Sequence, residues 1–531
     1  MKLRDEIVYL KPNILAEPLL NRWYAWALLI APATAAMYVA NSHLKIMQSF
    51  VTAPQVHAAA LRNPAMRGGP FIHYDASRVS DIKALIDSTT RDQALSLELA
   101  GAINQLNQLL STEAIGYSLE PLYQKIPEIL KGYVELVYDL EHHPSIRFIE
   151  GLLYKTPFYD ESLQSISLSA CETDERPFAL SSPYLAQEGS WQLHVPFRDE
   201  AVDELFKMKT EPQPFSYIRE LLKIEENELE VCSSFFTEET PRQASSFTGD
   251  SVRVRYFGHA CILIESKDAT VLFDPLISYE IEDPLPRYTY NDLPDSIDYV
   301  LITHNHQDHC MLETLLQIRH KVKNLIVPKN NGGSLADPSL KLMLQTIGFK
   351  RVSEIDEMES IPLTGGSITG LPFLGEHADL NIRSKLAYLV ELEGKSILCA
   401  ADSNNLEPQL YKHIHGLTGD IDLLFIGMEC DGGPLSWLYG PLLTKPLGRK
   451  LDQSRRLNGS DYEKAMALVN QLKPGQVYVY AMGQEPWLTY LTSIQYTADS
   501  RPIIDSNKLV EECRRRGITS ERLYGCKEIR L

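Results

Sequence analysis

Residues 298–309 read DYVLITHNHQDH, an apolar strand-like run that ends in four ligand-type side chains within six residues. Residues two apart in extended chain project to the same side, so His304 and His306 can hold one metal ion together. Asp308 and His309 stand where the chain turns into the helix-like run MLETLLQIRH (residues 311–320) and face the neighbouring position, which a second ion can take. Four such side chains at a strand-to-helix loop mark a two-metal centre.

Around this motif, short β-rich runs follow one another: VRVRYF, CILIES, TVLFD, NLIVP, SITGLPF, AYLVEL, SILCAAD, DLLFIGM and VYVYAM. Helical tracts such as YEKAMALVNQL lie between them, which predicts a layered α/β domain. The polar stretch TEETPRQASSFTG (237–249) reads as a linker, so we expect an N-terminal α+β domain over 1–245 and the metal domain over 246–531. The N-terminal part reads as mostly helical. One tract runs over 80–110 with Ser80 as its N-cap, and a second over 122–140 with Ile126, Ile129, Leu130, Tyr133 and Val137 on one stripe. Strand-like SISLSA and WQLHVPF and amphipathic AVDELFKM and FSYIRELLKI follow, and the pair His142 and His143 reads as a solvated helix end.

A length of 531 residues exceeds one ordinary core. The net charge of −19 argues against a broad grip on nucleic acid. Eight scattered cysteines with no CxxC pair suit buried thiols of a cytoplasmic protein. The opening MKLRDEIVYLKPN has no signal-peptide pattern. Residues 23–40 (WYAWALLIAPATAAMYVA) approach spanning length, yet they are Ala-rich with a central Pro32. They read as a buried or dimer-interface segment, with no membrane span.

HxHxDH after an apolar strand resembles the signature of the metallo-β-lactamase superfamily, which implies an αββα sandwich with further ligands at later strand ends. Two side chains stand there: Glu376 in LPFLGEHAD, where many hydrolases of this fold have a histidine, and Asp402 in SILCAADSNN, where the superfamily has a carboxylate bridging both metals. His377 competes with Glu376, and spacing does not separate them. His259 and Asp274, in the opening runs, read as structural. Zinc hydrolases of this fold close the second position with a late histidine, and none follows His415 here. The implied set is His304, His306, Asp308, His309, Glu376 and Asp402. Hard oxygen ligands favour oxidised iron, whereas a hydrolytic zinc pair needs only a Lewis acid and a bound hydroxide.

The chain as a whole resembles the diiron β-hydroxylases of nonribosomal peptide assembly lines (CmlA type). The resemblance runs from YLKPNILAEPLLNRWYAWALLIAPATAAM through HNHQDH, GEHAD and AADSNN to GGPLSWLYGPL. It implies two iron ions, dioxygen as co-substrate, an external electron donor, and an amino acid tethered as a thioester to a carrier (thiolation) domain. It also implies an N-terminal domain that dimerises and covers the site. A zinc-dependent hydrolase using the same residues is the alternative. Glu429, in DLLFIGMECDGG, is a candidate second carboxylate near the metals. The tract GPLLTKPLGRKLDQSRRLNG (440–459) offers Lys445, Arg449, Lys450, Arg455 and Arg456 against Asp452 alone, a docking patch for an acidic carrier.

Overall fold

The structure is a computed structural model that describes residues 6–244 and 247–531. The expected boundary between residues 245 and 246 lies outside the described residues, as does the start of the opening segment.

Residues 253–530 form two seven-stranded sheets. The first runs in the order Val352–Ile355, Val322–Pro328, Ile297–Leu301, Thr270–Phe273, Cys261–Glu265, Arg253–Gly258 and Lys527–Arg530. The second runs Ser360–Leu363, Gly366–Pro372, Leu386–Leu392, Lys395–Cys399, Leu423–Gly427, Gln476–Tyr480 and Thr519–Arg522. Their facing sides share one core, in which Val254, Ile262 and Leu301 meet Tyr388, Ile397 and Phe425. Helices Pro408–Thr418, Tyr462–Leu472 and Arg501–Arg515 cover the outside of the second sheet. This is the expected αββα sandwich. Its central strands are covered on both faces, which is why they read as unbroken apolar runs.

The N-terminal domain is mixed. A four-stranded sheet (Trp23–Tyr24, Ile14–Leu20, Gln164–Ala170, Ser190–Leu193) carries helices that include Val79–Asp92 and Ala94–Glu113. Three expectations are corrected. Ser80 is not an N-cap, because the helix continues from a 3-10 turn capped by Asp75, which accepts from the Ser77 amide. Residues 122–140 are not a helix: Pro127 and Gly132 interrupt them, and Val134–Tyr138 pairs with Pro144–Phe148 as a hairpin. His142 and His143 therefore sit in a hairpin turn, with His142 in the left-handed region at φ 65°. Residues 27–38 are two short buried helices in the N-terminal core. No helix among the described residues is long and apolar enough to cross a membrane.

The helix that follows the metal motif, Leu312–Ile318, is buried along its whole length, packed against strand Ile14–Leu20 and helix Glu200–Lys207 of the N-terminal domain. Glu313 lies at the centre of this contact, fully buried. It accepts hydrogen bonds from Tyr24 (2.9 Å), Tyr279 (2.8 Å) and Tyr490 (3.2 Å) and an ion pair from Arg176 (2.8 Å), which also pairs with Glu17. Buried charges persist only when paired and hydrogen-bonded, so this network fixes the N-terminal domain against the metal-bearing loop.

Candidate metal centre

Every candidate side chain leaves the end of a strand at one edge of the two sheets. The HNHQDH loop follows Ile297–Leu301, Glu376 follows Gly366–Pro372, Asp402 follows Lys395–Cys399 and Glu429 follows Leu423–Gly427. Their ligand atoms converge in overlapping groups, each within 4.8 Å: His304, His306 and Glu376; His304, His309 and Asp402; and His259, Asp308 and His309. His306 Nδ1 is 2.9 Å from Glu376 and His309 Nε2 is 3.1 Å from Asp402. Glu376, not His377, closes the first group. His377 instead stacks on His306, with ring centroids 4.5 Å apart, and its Nδ1 is 2.8 Å from Glu376.

The hydrogen bonds behind the ligand atoms assign the ring protons. Asp274 accepts from the Thr303 amide (2.7 Å), the Thr303 hydroxyl (2.6 Å) and His309 Nδ1 (2.8 Å), which turns His309 Nε2 toward Asp402. His304 Nδ1 donates to the Thr303 hydroxyl (3.0 Å), and its Nε2 is buried without a partner. His306 Nε2 is held 3.2 Å from the Tyr439 hydroxyl, so its Nδ1 faces the group. Asp402 Oδ1 is likewise buried and unpartnered among the described residues, and Glu376 Oε2 is buried with His377 Nδ1 beside it at 2.8 Å, without hydrogen-bond geometry. Orphaned acceptors and lone pairs aimed at one space are what a cation pair satisfies. His259 is different. Its Nδ1 accepts the Gly483 amide (3.2 Å), so its proton sits on Nε2, 3.3 Å from Asp308. It stands beside that carboxylate, while Asp274 ties Thr303 and His309 together behind the ligand atoms.

The electrostatics follow this geometry. Burial works to raise the Glu376 carboxyl, but the His306 and His377 imidazoles pull it down to about 2. Burial raises the Asp402 carboxyl, with His309 opposing. Burial also opposes protonation of His309, yet Asp402 and Asp274 hold its pKa well above the ordinary histidine range. Four of these residues hold left-handed backbone without being glycine: His259 (φ 50°), Asp274 (φ 35°), Glu376 (φ 67°) and Ala401 (φ 48°), joined at the same edge by Ala481 (φ 53°).

A cleft of about 300 Å³ lies over the group, with Gln307, Asp402, Glu429, Trp437 and Ile494 among its walls. Burial pushes the Glu429 carboxyl up to about 7 while the Gly432 amide, which donates to it, pulls it back. Glu429 thus faces the cleft with Asp402 and is not a solvated loop acid. The basic tract divides in two. Arg455 donates to the Ala378 carbonyl (2.8 Å) and Arg456 to the carbonyls of Asp431 (2.8 Å) and Gly432, so these two hold the loops that carry Glu376 and Glu429. Lys445, Arg449 and Lys450 are exposed. Of the five expected docking cations, three stand free for a partner.

Sequence reasoning missed Thr303, Tyr439 and the Glu313 network. Thr303 and Tyr439 both lie inside quoted motifs, DYVLIT and WLYGPL, but a hydroxyl's partner is visible only once the fold joins distant strands.

Comparison with known proteins adds the family. Residues 9–241 match a family model described as a diiron non-heme β-hydroxylase N-terminal domain, and residues 269–479 match a β-lactamase superfamily domain. The chain is 39% identical, over 98% of its length and 99% of the relative's, to the 4-amino-L-phenylalanyl-[CmlP-peptidyl-carrier-protein] 3-hydroxylase of Streptomyces venezuelae. Its structure is similar to that of CmlA, a diiron β-hydroxylase from the same organism, with a TM-score of 0.93 and 37% identity over 99% of this chain and all of that one. A mutant CmlA β-hydroxylase gives 0.90 at 37% identity over the same shares.

Proposed function

Because this chain belongs to the CmlA-type family of diiron β-hydroxylases, we propose that it hydroxylates the β-carbon of an amino acid tethered as a thioester to the carrier domain of a nonribosomal peptide synthetase. The observation that carries the reading is the donor set: three histidines joined by Asp308, Glu376 and Asp402, in a chain whose other half is the β-hydroxylase domain. Such an oxygen-rich set suits iron better than hydrolytic zinc, and the zinc hydrolase alternative leaves the N-terminal domain without a purpose.

His304, His306 and Glu376 would hold one ion, Asp308 and His309 the other, with Asp402 between them. Bound there, two irons would supply the oxidising power to insert one atom of dioxygen into a C–H bond, with the second atom leaving as water on uptake of two electrons from an external donor and two protons. Asp274, Thr303 and Tyr439 fix the imidazoles so that each turns its other ring nitrogen inward. His259 holds Asp308, and the N-terminal domain covers the helix behind the loop. Glu429, close to neutrality and facing Asp402, is placed to hold or release a proton at its carboxyl. The test is direct. Iron-loaded protein, a reductant, dioxygen and a thiolation domain charged with phenylalanine or leucine should give a product 16 Da heavier (one oxygen atom) on the tethered amino acid. Activity restored by zinc alone, with hydrolysis of the thioester and no added oxygen, would overturn it.

Three further expectations belong to this reading. Glu429→Ala should lower turnover and perturb the iron spectra, because it removes a carboxyl pushed up to about 7 that shares the cleft wall with Asp402. Normal turnover with normal spectra means Glu429 has no part. Reversing Lys445, Arg449 and Lys450 to glutamate should weaken carrier binding at low salt, with iron content intact. The effect should shrink as salt rises, since exposed charges are screened over roughly 8–10 Å at physiological ionic strength. Unchanged affinity at low salt places docking elsewhere. Arg455 and Arg456 are left out of this variant because they hold the ligand loops. Homodimerisation through the N-terminal domain is supported by a bare apolar patch: Ile115, Tyr117 and Leu140 are 71%, 79% and 93% exposed, and the Gly116 amide donates to Tyr138 between them. Leu140→Glu should shift the sedimenting species from dimer to monomer, and an unchanged sedimentation profile rules this patch out. A cytoplasmic location fits the same reading, since all eight cysteines are unpaired.

A further inference from the structure

Trp437 stands between two cavities. Its indole Nε1 donates to the Gly68 carbonyl (3.0 Å), and the Phe178 ring lies alongside at 6.4 Å and 29°. On one side is the cleft over the metal-binding group. On the other is a second cavity of about 340 Å³, and the two share Gly68, Pro434 and Trp437 as common wall.

The second cavity is made mainly by the N-terminal domain, with Trp23, Trp26, Tyr38, His43 and Leu180 in its walls. No Asp, Glu, Lys or Arg lines it, and burial pushes the His43 imidazole down to about 3, so the walls are uncharged at neutral pH. A five-residue π turn, Val39–His43, sets Ser42 and His43 on the wall, with the His43 ring flat on Trp23 at 3.8 Å. Trp23 Nε1 is buried without an acceptor among the described residues. The cavity also reaches the surface, because Pro70 and Ser436 in its rim are exposed. It therefore runs from solvent to Trp437, whose side chain also lines the metal-side cleft.

We propose that this cavity seats the carrier's prosthetic arm. The inference rests on the carrier-tethered reading above. A phosphopantetheine arm is uncharged between its phosphate and its thioester, and consists of methylenes, a geminal dimethyl group and two amides. The aromatic faces suit the hydrocarbon, and the Ser42 hydroxyl in the wall suits an amide. The phosphate stays outside, at the Ser436 rim. There the helix Arg449–Ser454 is tied down by Asp452, which accepts from the Ser436 amide (2.8 Å) and hydroxyl (2.7 Å), and it presents Arg449 and Lys450 to solvent. Residues 18–74, which supply most of the walls, contain no Asp or Glu in a chain of net charge −19. An acidic partner meets no like charge from that segment. An amino-acid side chain alone needs only a blind pocket, whereas the arm needs a route open to solvent.

The experiment compares two forms of one thiolation domain: with its serine unmodified, and with phenylalanyl-phosphopantetheine attached. Binding of each to the iron-loaded protein gives an affinity ratio that reports the arm alone. The wild type should bind the armed form at least about tenfold more tightly, equivalent to 1.4 kcal/mol. Ser42→Trp, which fills the cavity, should bring the ratio to about one without changing the affinity for the unmodified form, the iron content or the melting temperature. Ser42→Leu should give a partial loss, which guards against a misfolded tryptophan variant. Leu417→Trp, at an exposed position on the helix Pro408–Thr418 outside the second sheet, should keep the ratio. The opposite pattern, or a ratio that neither variant moves, overturns the assignment. A wild type that hydroxylates the armed domain with a ratio of one also overturns it, while the carrier reading stands. A wild type that neither binds nor hydroxylates the armed domain ends both.

Discussion

Asp402→Ala protein from iron-supplemented cells is expected to hold one iron per chain in place of two, with hydroxylation lost. Asp402 supplies the carboxylate nearest His309 and belongs to the same group as His304, so it is the carboxylate grouped with a histidine of each position. His304, His306 and Glu376 remain to hold the first ion. The second position keeps only Asp308 and His309, too few ligands for tight binding. Outer-shell partners of metal ligands are each worth roughly 10–100-fold in affinity or activity, so losing a shared ligand should cost on the order of a hundredfold or more. Elemental analysis and turnover check it together. Two tightly held irons and normal turnover in the variant would remove Asp402 from the centre.

Glu313→Ala should be the most destabilising single substitution away from the metals. Arg176 would keep only Glu17, and three buried phenols would lose their common acceptor. The Arg176 guanidinium sits 3.4 Å over the Tyr490 ring, with its side chain 9% exposed, so water cannot replace the lost carboxylate. Breaking a buried pair from one side typically costs about 3–5 kcal/mol. Glu313 is four residues beyond His309, so iron content should fall with stability. Glu313→Gln keeps an acceptor and should cost less. Denaturant midpoints for the two variants decide the matter, and a loss below about 1 kcal/mol for alanine shows that the network is not the clamp described here.

Much of this was legible in the letters, for identifiable reasons. The metal loop shows because coordination demands particular side chains at fixed spacing, and HNHQDH meets that demand within six residues. The sandwich shows because strands such as SILCA and DLLFIG are buried on both faces and carry unbroken apolar runs. Residues 122–140 misled because a helical stripe can be drawn through Ile126, Leu130 and Tyr133 even though Pro127 and Gly132 forbid the helix. The choice between Glu376 and His377 was closed to sequence, since adjacent residues differ only in which way a left-handed turn points them. The division of the basic tract was closed for a related reason. Arg455 and Arg456 read as free charges until the carbonyls of Ala378 and Asp431 are brought beside them.

The left-handed residues at the sheet edge bear on how far the protein can be engineered for heat tolerance. Each non-glycine residue there costs roughly 1–2 kcal/mol, so the five together approach the whole net stability of a typical domain, about 5–15 kcal/mol. Glycine at Ala401 or Ala481 is the obvious way to recover some of it. Yet Ala401 precedes Asp402 and accepts the Gly427 amide, and Ala481 donates to the His259 carbonyl, so a softer backbone at either place loosens the frame that aims the metal donors. Thermal screening at these positions would reward chains that melt later and grip their ions less firmly. Durable variants are better sought in the hairpin at 134–148, whose turn lies in the other domain and far along the chain from the metal loop.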